Sequence, residues 1–114
     1  GKTIFIEVWA SWCSDCVKAL PEVKKLNETY GKEVVFVNLS CDKTYEKWLE
    51  GINKYQVEGD NYLIPDGMKG NFGKSLNVDW IPRYLIVDTT GNIVLYRAIE
   101  KDFDTITEVL NKVK

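Results

Sequence analysis

Two cysteines three positions apart, Cys13 and Cys16, are the residues of this chain best suited to covalent chemistry. A cysteine thiolate is a nucleophile, and two neighbouring thiols can pass two electrons by closing into a disulfide. A C-x-x-C pair can also be half of a zinc site, which generally takes four ligands from cysteine and histidine. The chain has no histidine and one further cysteine, Cys41, so ligand arithmetic disfavours zinc. A purely structural bridge over so short a loop stabilises little. A pair placed between a strand and a helix reads best as redox chemistry.

The flanking pattern sets that placement. Residues 4–10 are apolar on both alternating faces except for Glu7. Such a run suits a strand covered on both sides. Val17, Leu20, Val23, Leu26 and Tyr30 then recur at helical spacing. Cys13 is expected at or just before the first helical turn, with Cys16 one turn on along the same face. The first N–H groups of a helix lack internal partners and carry partial positive charge. They favour a thiolate there, against an ordinary cysteine pKa of about 8.5. Cys13, nearer the helix end, is the expected attacking thiolate. Cys16 is the expected resolving thiol, attacking Cys13 in the mixed disulfide and releasing the substrate. Helical Cα atoms three apart are about 5–5.5 Å from each other, inside the disulfide range.

Length and composition bound the rest. A chain of 114 residues with 45% hydrophobic content predicts one domain over residues 1–114 with one real core. A net charge of −2 without a basic block gives no reason to expect nucleic acid or an anionic membrane as partner. No run approaches the roughly 18 apolar residues of a membrane span. Three cysteines are too few for a disulfide scaffold. Gly1-Lys2 leads straight into a strand without a visible signal segment, so a trimmed N-terminus is expected.

Further along, Pro21 is expected to kink the first helix, and Gly31 to end it in a left-handed cap. Residues 34–39 read as a second strand, parallel to the first. Asp42 is expected to cap a second helix with the apolar stripe Tyr45, Trp48, Leu49, Ile52 and Tyr55. Residues 56–67 read as loop, and 69–76 as a short helix. Residues 84–87 and 93–96 form a hairpin about the turn 88–92. Asp102 is expected to cap a last helix carrying Phe103, Ile106, Val109, Leu110 and Val113. The sum is an α/β domain with a mixed four-stranded sheet flanked by helices.

The run Trp9-Ala-Ser-Trp-Cys-Ser-Asp-Cys16, Pro21 eight residues after Cys13, and the run from Ile81-Pro82 to Ile93 together resemble the thioredoxin superfamily. The likeness is greatest to the TlpA/ResA-type branch of extracytoplasmic thiol–disulfide oxidoreductases, given the longer segment between the second helix and Pro82. The resemblance implies a thioredoxin-like fold lacking the leading strands the family usually carries. It implies a cis Ile81–Pro82 peptide beside the cysteines, where the Ile81 backbone meets an extended substrate peptide. Trp12 reads equally as a shield or substrate surface for the pair and as an ordinary packing tryptophan. Glu7, six positions before Cys13, is expected to be a buried acid that accepts the Cys16 proton.

Ser14 and Asp15 stand between the cysteines where Gly-Pro is usual in thioredoxin. The Asp15 charge opposes thiolate formation and is expected to make the pair more reducing, although an acid also suits a helix N-terminus. The implied activity is reduction of protein disulfides by a catalytic Cys13–Cys16 disulfide, with no metal and no other cofactor. The implied partners are a protein disulfide and an upstream thiol reductant, outside the cytoplasm, with the chain a monomer. Cys41 reads as a small buried apolar residue. Arg83 reads as a solvated side chain or one that meets an acidic substrate group. Trp48, Trp80 and Tyr84 read as core or rim packing.

Two other functions compete. A thioredoxin-fold binding or assembly module would leave the pair redox-idle. A peroxidase of the related peroxiredoxin group needs Thr or Ser three residues before its cysteine, and Ala10 stands there. Copper delivery is disfavoured by the lack of histidine.

Overall fold

Ten elements follow one another over residues 1–114 of a computed structural model: β1 (Thr3–Trp9), α1 (Ser14–Tyr30), β2 (Val34–Ser40), α2 (Tyr45–Tyr55), β3 (Asp60–Leu63), a 3-10 turn (Gly67–Lys69), α3 (Asn71–Ser75), β4 (Arg83–Val87), β5 (Ile93–Ala98) and α4 (Phe103–Val113). The strands form one mixed sheet in the order β3-β2-β1-β4-β5. β1 lies at its centre, parallel to β2 and antiparallel to β4. Every backbone group of β1 therefore has a neighbour on either side, which fits its apolar sequence. Within it, Glu7 sits opposite Asn38 of β2 and Tyr84 of β4.

Two cores hold the layers together. One joins Phe5, Phe36, Tyr84 and Ile86 of the sheet to Val23 and Leu26 of α1 and to Ile106 and Leu110 of α4. Phe5 stacks on Tyr84 with ring centroids 5.6 Å apart. The second gathers Val8, Leu85, Cys41 and Ile64 with Cys13 and Cys16, and Ile52, Tyr55 and Leu76 pack against it. Of the stripe on α1, Leu20, Val23, Leu26 and Tyr30 are buried and Val17 is half-buried, while α4 buries Ile106 and Leu110 and packs the half-buried Phe103, Val109 and Val113 against that core.

The sheet has five strands rather than the four expected from the sequence. β3 falls inside the stretch read as loop and pairs in parallel with β2 from Val37↔Asp60 to Ser40↔Leu63. It is short, lies at the edge and begins with the turn-forming residues Asp60 and Asn61. Its pairing runs through backbone groups, which no side-chain pattern announces.

Four local expectations are also corrected. Gly31 ends α1 with φ −59°, an ordinary right-handed value, and its N–H donates to the Asn27 carbonyl. Thr44, not Asp42, caps α2 by accepting from the Lys47 amide. The α2 stripe is only partly covered: Trp48, Ile52 and Tyr55 are half-buried, Tyr45 and Leu49 are exposed, and Gly51 is the one residue of the helix that is buried. Asp102 does precede α4, but its carboxylate turns back to accept from the Ile99 amide.

Candidate active site

Cys13 is the N-cap residue of α1, in extended backbone with φ −89° and ψ 109°. Its sulfur occupies the place usually taken by a capping oxygen and accepts from the Cys16 N–H at 3.2 Å. Cys16 lies in the first turn, and the two residues are joined as a disulfide with Cα atoms 5.2 Å apart. Cys13 is 7% exposed and Cys16 not at all, so one sulfur is outer and the other inner. The Cys13 sulfur lies 3.7 Å from the carbonyl oxygen of Ile81. The Ile81–Pro82 bond is cis, and both residues are buried against the pair's side of the sheet. Ser14 and Asp15 face solvent in the first turn. Trp12 is 61% exposed, a large apolar surface next to a reactive centre.

Glu7 is wholly buried, and neither carboxylate oxygen has a hydrogen-bond partner. Desolvation pushes its pKa up from 4.5 to about 8. A cavity of about 10 Å³ adjoins it, lined also by Leu20, Lys24, Asn27, Asn38 and Glu58. That is about the least space a water molecule needs, and the lining supplies polar groups. Leu20 stands one turn along α1 from Cys16, so the Glu7 carboxyl lies beneath the helix that carries the inner cysteine. Tyr84, facing Glu7 across the strands, has its pKa pushed up by burial and by the Glu7 charge.

Arg83 departs from both expectations for it. It is 1% exposed and reaches neither solvent nor the outer surface of the site. Its guanidinium donates to the carbonyls of Leu76 and Asn77 and to the Asp79 carboxylate at 3.0 Å. Tyr96 adds a second bond to the Leu76 carbonyl, and its ring lies 5.5 Å from the Arg83 guanidinium. Asp79 is also held by Arg97 at 2.9 Å, and its pKa is lowered through its backbone hydrogen bond and the two arginines. Arg83 thus fastens the segment 76–79 that leads into Ile81-Pro82. No side-chain pattern announces this role, because most of the partners are backbone carbonyls.

Asp42 was also missed. It is 2% exposed and accepts from the Ser11 amide and hydroxyl and from the Ser40 hydroxyl. It ties the loop before Cys13 to the end of β2. Cys41 is buried and unpaired, and burial together with the Asp42 charge pushes its thiol up to about 11. It is a packing residue at neutral pH, as expected. Trp48 is half-buried on α2, while Trp80 lies at the rim with its indole N–H donating to Glu100.

The thioredoxin-like protein HCF164, chloroplastic, of Arabidopsis thaliana is 32% identical over 91 residues, which are 80% of this chain and 34% of that protein. The thiol-disulfide oxidoreductase ResA of Bacillus thuringiensis is 24% identical over 114 residues, 99% of this chain and 64% of that protein. The chain thus spans between about a third and just under two thirds of these relatives. A solution structure of a candidate thiol-disulfide oxidoreductase from Bacteroides vulgatus is 35% identical and superposes with a TM-score of 0.82, over 98% of this chain and 73% of that one. A family model for thioredoxin-like proteins matches residues 1–93, and the chain accordingly belongs to the thioredoxin-like family.

Proposed function

We propose that this protein is a thiol–disulfide oxidoreductase that reduces disulfides in other proteins. The observation that carries the reading is the Cys16 amide directed at the Cys13 sulfur, at the head of α1, with Cys13 the more exposed of the two. In the reduced protein the Cys13 thiolate attacks one sulfur of the partner's disulfide. That bond breaks, a mixed disulfide forms and the partner's other sulfur leaves as a thiolate. Cys16, once deprotonated, attacks the Cys13 sulfur and releases the partner as a dithiol. Two electrons pass to the partner, and the Cys13–Cys16 disulfide remains.

Glu7 is the proposed acceptor of the Cys16 proton. Its burial beneath α1 and its raised pKa suit proton exchange near neutrality. Ile81 and Pro82 are the proposed seat of an extended partner segment, supported by the Ile81 carbonyl beside the Cys13 sulfur. Trp12 offers that segment an apolar surface. Ser14 and Asp15 are the proposed tuning residues, and an unchanged reduction potential in Asp15→Asn would remove Asp15 from that role. An upstream thiol reductant regenerates the dithiol. The protein acts as a monomer outside the cytoplasm, a location supported by the resemblance to the TlpA/ResA branch. No helix is long and apolar enough to cross a membrane.

The test is reduction of a disulfide-bonded protein with dithiothreitol as electron source. Wild type should accelerate it, Cys13→Ser should not, and Cys16→Ser should accumulate the mixed disulfide. Equal rates with wild type and Cys13→Ser would favour a redox-idle binding module.

A further inference from the structure

α2 is seated on the loop before Cys13 through a glycine. A Cβ at Gly51 would stand 2.5 Å from the Ser11 Cβ, so the helix approaches closer than any other residue allows. Asp42, just ahead of α2, holds the Ser11 amide and hydroxyl. This close seat leaves a groove of about 820 Å³ between α2 and Trp12. A second groove of about 830 Å³ opens on the other side of Trp12 toward Met68. The two share Trp12, Asp42 and Lys43, so the exposed indole is a ridge between them.

The charge of these grooves differs from that of the chain. Lys43, Lys47 and Lys54 line the first, and Lys69 joins Lys43 in the second. None of these lysines forms a salt bridge, since the ion pairs are Lys25–Glu22, Arg83–Asp79 and Arg97–Asp79. The Asp42 carboxylate is turned inward onto Ser11 and Ser40. Glu50 and Asp66 remain as acids along the two grooves. Three lysines thus face the two acids Asp42 and Glu50 in the first groove, whereas Lys43 and Lys69 are matched by Asp42 and Asp66 in the second, so the excess of positive charge lies between α2 and Trp12, the residue before Cys13. Charges so placed steer and orient an anionic partner.

We propose that the groove between Trp12 and α2 receives an acidic segment beside the disulfide of the partner protein. This rests on the oxidoreductase reading and names its substrate class. The segment lies across the indole, its carboxylates meet Lys43, Lys47 and Lys54, and its disulfide is brought to Cys13. Attack by the Cys13 thiolate then breaks that disulfide, and Cys16 completes the two-electron transfer as above.

The test uses two disulfide-bonded peptides of one sequence, one flanked by Asp and Glu and the other by Asn and Gln. At low salt the reduced protein should react about tenfold faster with the acidic peptide, in keeping with several exposed ion pairs acting together. Added salt should bring the two rates together. In Lys43→Glu/Lys47→Glu/Lys54→Glu the ratio of the two rates should fall to one or below, and Lys47→Glu alone should lower it part of the way. Equal rates for the two peptides with wild type at low salt overturn the proposal. A cysteine-free acidic peptide, titrated against tryptophan fluorescence, separates docking from chemistry. Saturable binding without any disulfide exchange keeps the docking site and removes the oxidoreductase reading. Neither binding nor exchange removes both.

Discussion

The Cys16 backbone N–H points at the Cys13 sulfur from 3.2 Å, so the helix that carries the pair is capped by the Cys13 side chain. An amide aimed at sulfur stabilises a thiolate more than a thiol. In the reduced protein Cys13 should therefore be alkylated by iodoacetamide at pH 7 several-fold faster than cysteine in an unstructured peptide, and Cys16 far more slowly. Mass spectrometry of the alkylated peptides checks this. Equal labelling of both cysteines would contradict the assignment of roles.

Glu7 links the site to stability through pH. Its folded pKa of about 8 lies above the ordinary 4.5, so the folded state keeps a proton that the unfolded chain releases. The contribution of the protonated carboxyl is therefore whole below about pH 4.5 and is lost progressively as pH rises toward 8. Urea denaturation should show wild type losing on the order of 3 kcal/mol between pH 4.5 and 7 from this group. Glu7→Gln should flatten that slope and slow resolution of the mixed disulfide. Parallel stability curves for the two proteins, or resolution at the wild-type rate across pH 6 to 9, would remove the buried acid from the account.

Arg83 fastens segment 76–79 through the Leu76 and Asn77 carbonyls and the Asp79 carboxylate. Its loss leaves the Leu76 and Asn77 carbonyls short of a charged donor inside the fold. Arg83→Met should cost about 2–4 kcal/mol in urea denaturation. Arg83→Lys should recover only part, because an ammonium cannot reproduce the planar fork that meets two carbonyls and a carboxylate. Wild-type stability in Arg83→Met would show the segment to be held by other means.

Gly51→Ala sets two effects against each other. Alanine favours a helix interior over glycine by about 1 kcal/mol. The added methyl would stand 2.5 Å from the Ser11 Cβ and force α2 off the active-site loop. Overpacking of this kind costs about 1–3 kcal/mol, so a net loss of stability is expected. Thermal denaturation decides the sign, and a more stable variant would mean that α2 is free to shift.

The strongly periodic elements were legible in the sequence. β1 and α1 carry continuous apolar patterns, and those patterns place Cys13 and Cys16 at the joint between them. The burial of Glu7 followed from apolar neighbours on both faces of its strand. β3 was not legible, because an edge strand of four residues is specified by backbone pairing with β2. The α2 stripe was legible only in part, because the helix packs through Gly51 with Ile52 and Tyr55 at the edge of the core, which leaves Tyr45 and Leu49 in solvent. Arg83 and Asp42 escaped for a related reason. Their partners are carbonyls, amides and serine hydroxyls that only the tertiary fold brings within reach.

The central claim is that the Cys13–Cys16 pair is a reducing dithiol in exchange with other disulfides. Its reduction potential tests this most directly, titrated against a dithiol buffer and followed by tryptophan fluorescence. A reversible two-electron transition at or below about −270 mV, the value of thioredoxin, is the predicted result. A transition near about −120 mV would reverse the direction of electron flow, and the absence of any reversible transition would contradict the redox role itself.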